Sequence, residues 1–241
     1  MAQELTGYGR PTMRDAAILP VAQAAALFDV VTDDLRVRLS EAGGRVVAQA
    51  NACAAGRPIR VQVAAAGLGE AVADLAERLS CRILEAAACW SARAWPDTDD
   101  ASVPSRIPPG ERVVGPALLA RVKAVPLAAC SPEVAVTVMD LMDYPVHLFV
   151  DADTGLDAVV YRAGPTGYRL ARLRPVPPPT PNTVRLTVDP RPAPTLEAAQ
   201  AMARLDQTGL GHLFFIDSGT GRGQLIYRRF DTRYALIKDT R

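Results

Sequence analysis

The chain has almost no lysine: of 27 basic residues only Lys123 and Lys238 are lysines, and the rest are arginines. It also has no excess of either charge, with 27 basic against 26 acidic residues, so no global basicity announces a nucleic-acid partner and charge must be read segment by segment. Cysteine is scarce. Cys53, Cys81, Cys89 and Cys130 contain no C-x-x-C pair and have no histidine or cysteine at zinc-finger spacing, so they read as small buried apolar residues of a reducing compartment. No uninterrupted apolar run could cross a bilayer, because Ala16 to Val31 is broken by Pro20 and Gln23 and bounded by Asp15 and Asp29. No basic region feeds that run either, so neither a leader nor a membrane anchor is expected, and the expected location is the cytoplasm.

What is present is 241 residues, 49% of them apolar, enough for one large domain or two to three small ones. Two stretches punctuate the chain. Trp95 to Arg112 collects Pro, Asp, Ser and Gly without apolar periodicity and reads as a linker. Arg174 to Asn182 is proline-dense and reads as a semi-rigid spacer. The expected division is a first domain over 1–96, a linker over 97–118, a first module over 119–174, a spacer over 175–182 and a second module over 183–241.

The two modules are copies. Leu148 to Leu170 lies over Phe214 to Leu236 with a constant shift of 66 and no gap, matching Phe149 with Phe215, Asp151 with Asp217 and Thr154-Gly155 with Thr220-Gly221. The same shift matches Tyr161-Arg162 with Tyr227-Arg228, Tyr168 with Tyr234, and Leu170 with Leu236. Upstream, Ser131-Pro132-Glu133 has the residues of a helix start, and Thr195-Leu196-Glu197 is expected to repeat it. Before each helix comes an extended run, Arg121 to Leu127 and Thr183 to Val188. Each module therefore reads strand, helix, then three strands, with Thr-Gly marking the first hairpin.

The first domain reads differently. Leu35 to Leu39, Arg45 to Gln49 and Pro58 to Val63 alternate apolar with Arg or Gln, the period of strands with one wet face. From Gly69 to Trp90, Val72, Leu75, Ala76, Leu79, Ile83, Ala87 and Trp90 form one helical stripe. With a helical stretch around Pro20 and a weak strand at Gln3 to Tyr8, the order is β-α-β-β-β-α, and the fold class is α+β.

That order, followed by Asp153-Thr154-Gly155, Val159-Val160-Tyr161-Arg162 and Tyr168, and again by Leu225-Ile226-Tyr227-Arg228-Arg229 and Tyr234-Ala235-Leu236-Ile237, resembles the long-type ribosome hibernation promoting factors. Two such modules on one chain resemble the dormancy- or hypoxia-associated actinobacterial members of that family. The resemblance implies a first domain that sits in the decoding channel of the small subunit and inhibits translation under stress or dormancy by blockade. The implied partners are the 30S subunit, the 70S ribosome and 16S rRNA. No enzymatic activity, cofactor, metal, membrane or small-molecule substrate is implied. In long members the module pairs with its copy on another chain. With both copies joined by a short spacer, the intramolecular pair outcompetes that contact, so a pseudo-dimer within a monomer is expected, acting on single ribosomes.

Contact with folded rRNA calls for guanidinium groups on a rigid face. The candidates are Arg36, Arg38, Arg45 and Arg60 on the strands, Arg78 and Arg82 one helical turn apart, and Arg222, Arg228 and Arg229 in the second module. Residues 1–96 carry ten arginines and ten acidic residues, so Asp74-Arg78-Arg82 also reads as an ion-pair ladder on a solvated helix, and segregation of charge decides between the readings. Tyr161, Tyr168, Tyr227 and Tyr234 read either as base-stacking groups or as cross-strand pairs. Module pairing is assigned to Phe149, Val160, Tyr161, Phe215, Ile226 and Tyr227. The alternative function is a stress regulator that pairs with another protein through its repeat modules and never touches RNA.

Other chemistry is set aside. Asp153-Thr154-Gly155 is an aspartic-protease tripeptide, but the second copy has Gly219 in place of the aspartate, and the same loop has Arg162 where calcium needs a glutamate. His147 and His212 do not align between copies and have no nucleophile at recognisable spacing. Gly219 to Gly223 lacks the Lys-Ser/Thr of a phosphate loop.

Overall fold

The computed structural model describes residues 20–23, 25, 32–88, 118–163, 167–176 and 184–240. The chain divides into two compact units, Met1–Ala87 and Ala88–Arg241. The expected strand at Gln3 to Tyr8, Cys89, Trp90 and the linker from Trp95 to Arg112 lie outside the described residues.

In the first unit residues 20–23 are helical. Strands β1 (Thr32–Ala42), β2 (Arg45–Ala54) and β3 (Arg57–Ala65) form an antiparallel meander in that order. Ala42 pairs with Arg45 and Ala54 with Arg57, so each hairpin closes with two residues. Both residues of each loop, Gly43-Gly44 and Ala55-Gly56, have positive φ, the mirror-image turn whose twist matches that of paired strands. The sheet buries Val46, Ala48, Ala50, Ala52, Ala54, Ile59, Val61 and Val63 on one face. Helix α1 (Leu68–Ala87) packs there with Val72, Leu75, Leu79 and Ile83. Alanine is a poor strand former, but a row of alanines on the central strand lets the large aliphatic groups of α1 approach closely. The expected stripe is present, although Ala87 is exposed and the buried arc extends to Ala71, Arg78 and Arg82.

In the second unit two five-stranded sheets are built from β4 (Leu119–Val125), β5 (Ala129–Cys130), β6 (Val146–Asp151), β7 (Leu156–Ala163), β8 (Gly167–Arg172), β9 (Leu186–Val188), β10 (Thr195–Leu196), β11 (His212–Asp217), β12 (Gly223–Arg228) and β13 (Tyr234–Asp239). Their orders are β5-β6-β7-β8-β9 and β10-β11-β12-β13-β4, with helices α2 (Pro132–Leu141) and α3 (Ala198–Thr208). The 66-residue shift relates the two copies element by element, from β5 and β10 onwards.

Two expectations need correction. Ser131 caps α2 as expected, its Oγ accepting from the Val134 N–H. In the second copy, however, the cap is Glu197, whose N–H donates to Gln200 Oε1 at 2.9 Å, while Thr195 and Leu196 form β10. The cysteines are not uniformly buried either: Cys81 is exposed and Cys53 and Cys130 are partly so.

The leading strands are exchanged. β4 precedes α2 in the chain but pairs in parallel with β13 of the second copy, and β9 precedes α3 but pairs in parallel with β8 of the first. Each helix packs on its own module's sheet. Ala135, Val136, Met139, Phe149, Ala158, Val160, Tyr168 and Leu170 form the first core, and Ala201, Leu205, Phe215, Ile226, Tyr234 and Leu236 the second. The opposite faces meet in a third core of Leu127, Val146, Leu148, Val159, Leu173, Phe214 and Leu225. The two modules thus form an intramolecular pseudo-dimer. Among the described residues no helix is long and apolar enough to cross a membrane, and no group of three metal-ligating side chains occurs.

Candidate nucleic-acid interface

A strand presents alternate residues to opposite faces, so the register of the meander decides which arginines meet. Arg36 pairs with Asn51 and Asn51 with Arg60; the next row is Arg38, Gln49 and Gln62. These residues lie opposite the alanine row, on the sheet face away from α1. Arg45, at an odd position of β2 like Gln49 and Asn51, belongs to the same face. The four strand arginines therefore share one surface, interleaved with three side-chain amides.

The amides organise this surface. Gln49 Nε2 donates to Asn51 Oδ1 at 3.2 Å, and the Arg60 guanidinium donates to the Gln49 side-chain oxygen at 3.4 Å and to Gln62. Arg45 donates to the Ala64 carbonyl at 2.6 Å. Arg36 and Arg38 are exposed. The nearest carboxylate to Arg36 is Asp34, 3.9 Å away across a pair whose side chains are both 79% exposed, a contact that water and salt screen heavily. Asp33 and Asp34 stand at the bulged end of β1, and no carboxylate occurs in the rows from Arg36 to Gln62. The exposed acids Glu70, Asp74 and Glu77 are on α1, which covers the other face. Charge on the strands is thus segregated.

The other sequence candidates are used differently. Arg78 and Arg82 are buried, at 9% and 2% exposure, and Arg82 is paired with Glu85. Neither presents a free guanidinium to solvent, because α1 is covered over a wider arc than its aliphatic stripe indicates. Arg228 is also buried. It donates to Asp206 at 3.1 Å and to the Tyr234 hydroxyl at 3.2 Å, and Tyr234 donates to Asp206 as well. Sixty-six residues earlier, Arg162 donates to Asp140 at 2.8 Å and Tyr168 donates to Asp140 at 2.5 Å. The repeated Tyr-Arg and Tyr motif therefore ties each helix to its sheet, and Tyr168 and Tyr234, fully buried, cannot stack on bases. Burial raises the Tyr234 hydroxyl pKa above its ordinary value. Arg229 is paired with Asp231 at 3.1 Å and remains 34% exposed.

Arg222 joins the modules. Its Nε and Nη2 donate to the two Asp157 oxygens at 2.8 Å each, and Nη2 donates to Asp239 at 2.7 Å. The hydrogen bonds it donates to these two carboxylates hold the guanidinium pKa above its usual value. Its guanidinium is thus engaged as a clasp between the modules.

Four of the six residues assigned to module pairing lie one position away from the shared core. Phe149, Val160, Phe215 and Ile226 face their own helices, while their neighbours Leu148, Val159, Phe214 and Leu225 form the shared core. Both faces of β7 and β12 are apolar, so alternation did not reveal which one pairs. Tyr161 packs on the shared core and meets His212 edge-on at 5.2 Å. The Tyr227 hydroxyl accepts from Lys123 of the exchanged strand at 2.9 Å. Burial drives both His147 and His212 down to about 4, so they are neutral at pH 7.

The family described as the sigma 54 modulation/S30EA ribosomal protein C terminus matches residues 116–170, from the approach to β4 into β8. Dormancy associated translation inhibitors of Mycobacterium tuberculosis strains H37Rv and CDC 1551 are each 42% identical over 246 residues, covering 96% of this chain and 86% of the relative. The chain belongs to the long-type ribosome hibernation promoting factor family.

Within this hibernation-factor chain, sequence reading missed Asp140, Asp206 and Asp157. The first two carried a signal, since they obey the same 66-residue shift as Arg162 and Arg228. Asp157 carried none, because its partner position in the second copy is Gly223.

Proposed function

We propose that this chain is a ribosome hibernation factor that docks on the small subunit near the decoding channel and blocks translation in stressed or dormant cells. The outer face of the meander, with Arg36, Arg38, Arg45 and Arg60, lies against 16S rRNA phosphates. The gathering of these four arginines on one sheet face, whose rows from Arg36 to Gln62 hold no carboxylate, carries this reading, and the name of the mycobacterial relatives supports it. Arg229 is kept as a peripheral contact. The factor works in the cytoplasm as a monomer on single 70S ribosomes, since the faces that would join two chains are occupied within one.

The test is co-sedimentation with purified 70S ribosomes across a salt series. Binding falls as salt rises, no ribosome dimer peak forms, and in vitro translation is inhibited. The double variant R36A/R38A lowers the slope of log affinity against log salt by about 2, one for each guanidinium that no longer neutralises a phosphate. Ribosome binding that ignores both salt and these substitutions would instead favour a protein-only partner.

A further inference from the structure

The two pairing faces are alike in their apolar residues and unlike at their centre. Under the 66-residue shift Asp157 corresponds to Gly223, and these two residues face one another, as residues on a twofold axis do. The Gly223 N–H donates to Asp157 at 2.7 Å, and a Cβ on Gly223 would lie 2.6 Å from the Asp157 Cβ. Asp157 is 2% exposed and accepts from Arg222 as well, so its buried charge is fully compensated. In a pair of two first modules, Gly223 would be replaced by a second Asp157, Arg222 by Leu156 and Asp239 by Leu173. Two carboxylates would then be forced together in an apolar interface with no cation, a clash and an uncompensated charge at once. In a pair of two second modules glycine would face glycine, and each Arg222 would lose its main carboxylate.

We infer that the pairing face of the first module accepts a module bearing the Arg222-Gly223 arrangement and rejects a copy of itself. The selectivity resides in three polar positions, because the apolar contacts, Leu148 with its counterpart Phe214 and Val159 with Leu225, are similar on both sides. The partner this surface fits is therefore a glycine-centred module with an arginine beside it, whether on the same chain or on a second copy exchanging modules reciprocally. This holds independently of what the first unit binds.

The experiment uses the full chain. G223D gives the second module the centre of the first. By small-angle scattering and analytical ultracentrifugation it is expected to be a monomer with an enlarged radius of gyration. Its residue-223 amide exchanges about 100-fold or more faster than in the unaltered chain, as befits a broken buried charge pair. The transposed chain D157G/G223D restores one carboxylate opposite one glycine and is expected to be compact again. The inference is overturned if G223D stays as compact as the unaltered chain, if it dimerises through its two acidic faces, or if transposition recovers nothing. Should G223D fail to fold, the transposed chain decides alone, with recovery of a compact monomer supporting the inference and its absence sinking it.

Discussion

Asp140 and Asp206 occupy equivalent positions near the ends of their helices and hold equivalent Arg-Tyr partners, yet their exposure differs. The Asp140 side chain is 2% exposed and that of Asp206 37%. Removing a partner from a buried ion pair leaves the other charge stranded, whereas water rescues the half-exposed one. Asp140→Ala is therefore expected to cost about 3 kcal/mol in urea unfolding, and Asp206→Ala about 1 kcal/mol. A second residue-level effect concerns His147 and His212, whose values of about 4 lie below the ordinary 6.5. Each binds a proton more readily unfolded than folded. The stability they allow is complete above pH 6.5 and is lost as pH falls from there towards 4, by up to about 3 kcal/mol for each histidine. Urea midpoints measured across that window should drop, and His212→Gln should flatten the profile.

At the level of elements, the meander was legible because period-2 alternation shows both a wet and a dry face, and the wet face carried Arg36, Arg38 and Arg60. The helices of the second unit were legible from caps and repeat register, with the second cap displaced by two residues because Thr195 resembles a cap residue better than Glu197 does. The exchange of leading strands was not legible: Leu119–Val125 reads as a strand wherever it pairs, and nothing in its pattern names a partner. Burial of arginine on α1 was equally hidden, since Arg78 and Arg82 lie beside the aliphatic stripe and look solvated in a helical projection. The exchange makes a directional prediction. Val122→Pro, in β4, is expected to speed amide exchange in Tyr234–Asp239 of the second module while leaving Gly167–Arg172 protected, although residue 122 belongs by sequence to the first. Equal loss of protection in both strands, or loss in the first module alone, would contradict the pairing.

For the molecule as a whole, the first unit presents a charged sheet face while the second spends its adhesive surfaces on itself. Module pairing within one chain does not depend on protein concentration, so dilution leaves it intact. The crossed leading strands add something that side-by-side packing would lack. A protease cut between residues 176 and 184 yields two pieces, one ending with β8 and the other beginning with β9, and each contributes a strand to the other's sheet. The nicked halves are expected to co-elute in gel filtration and to part only in denaturant, hooked together like two links although no covalent bond joins them.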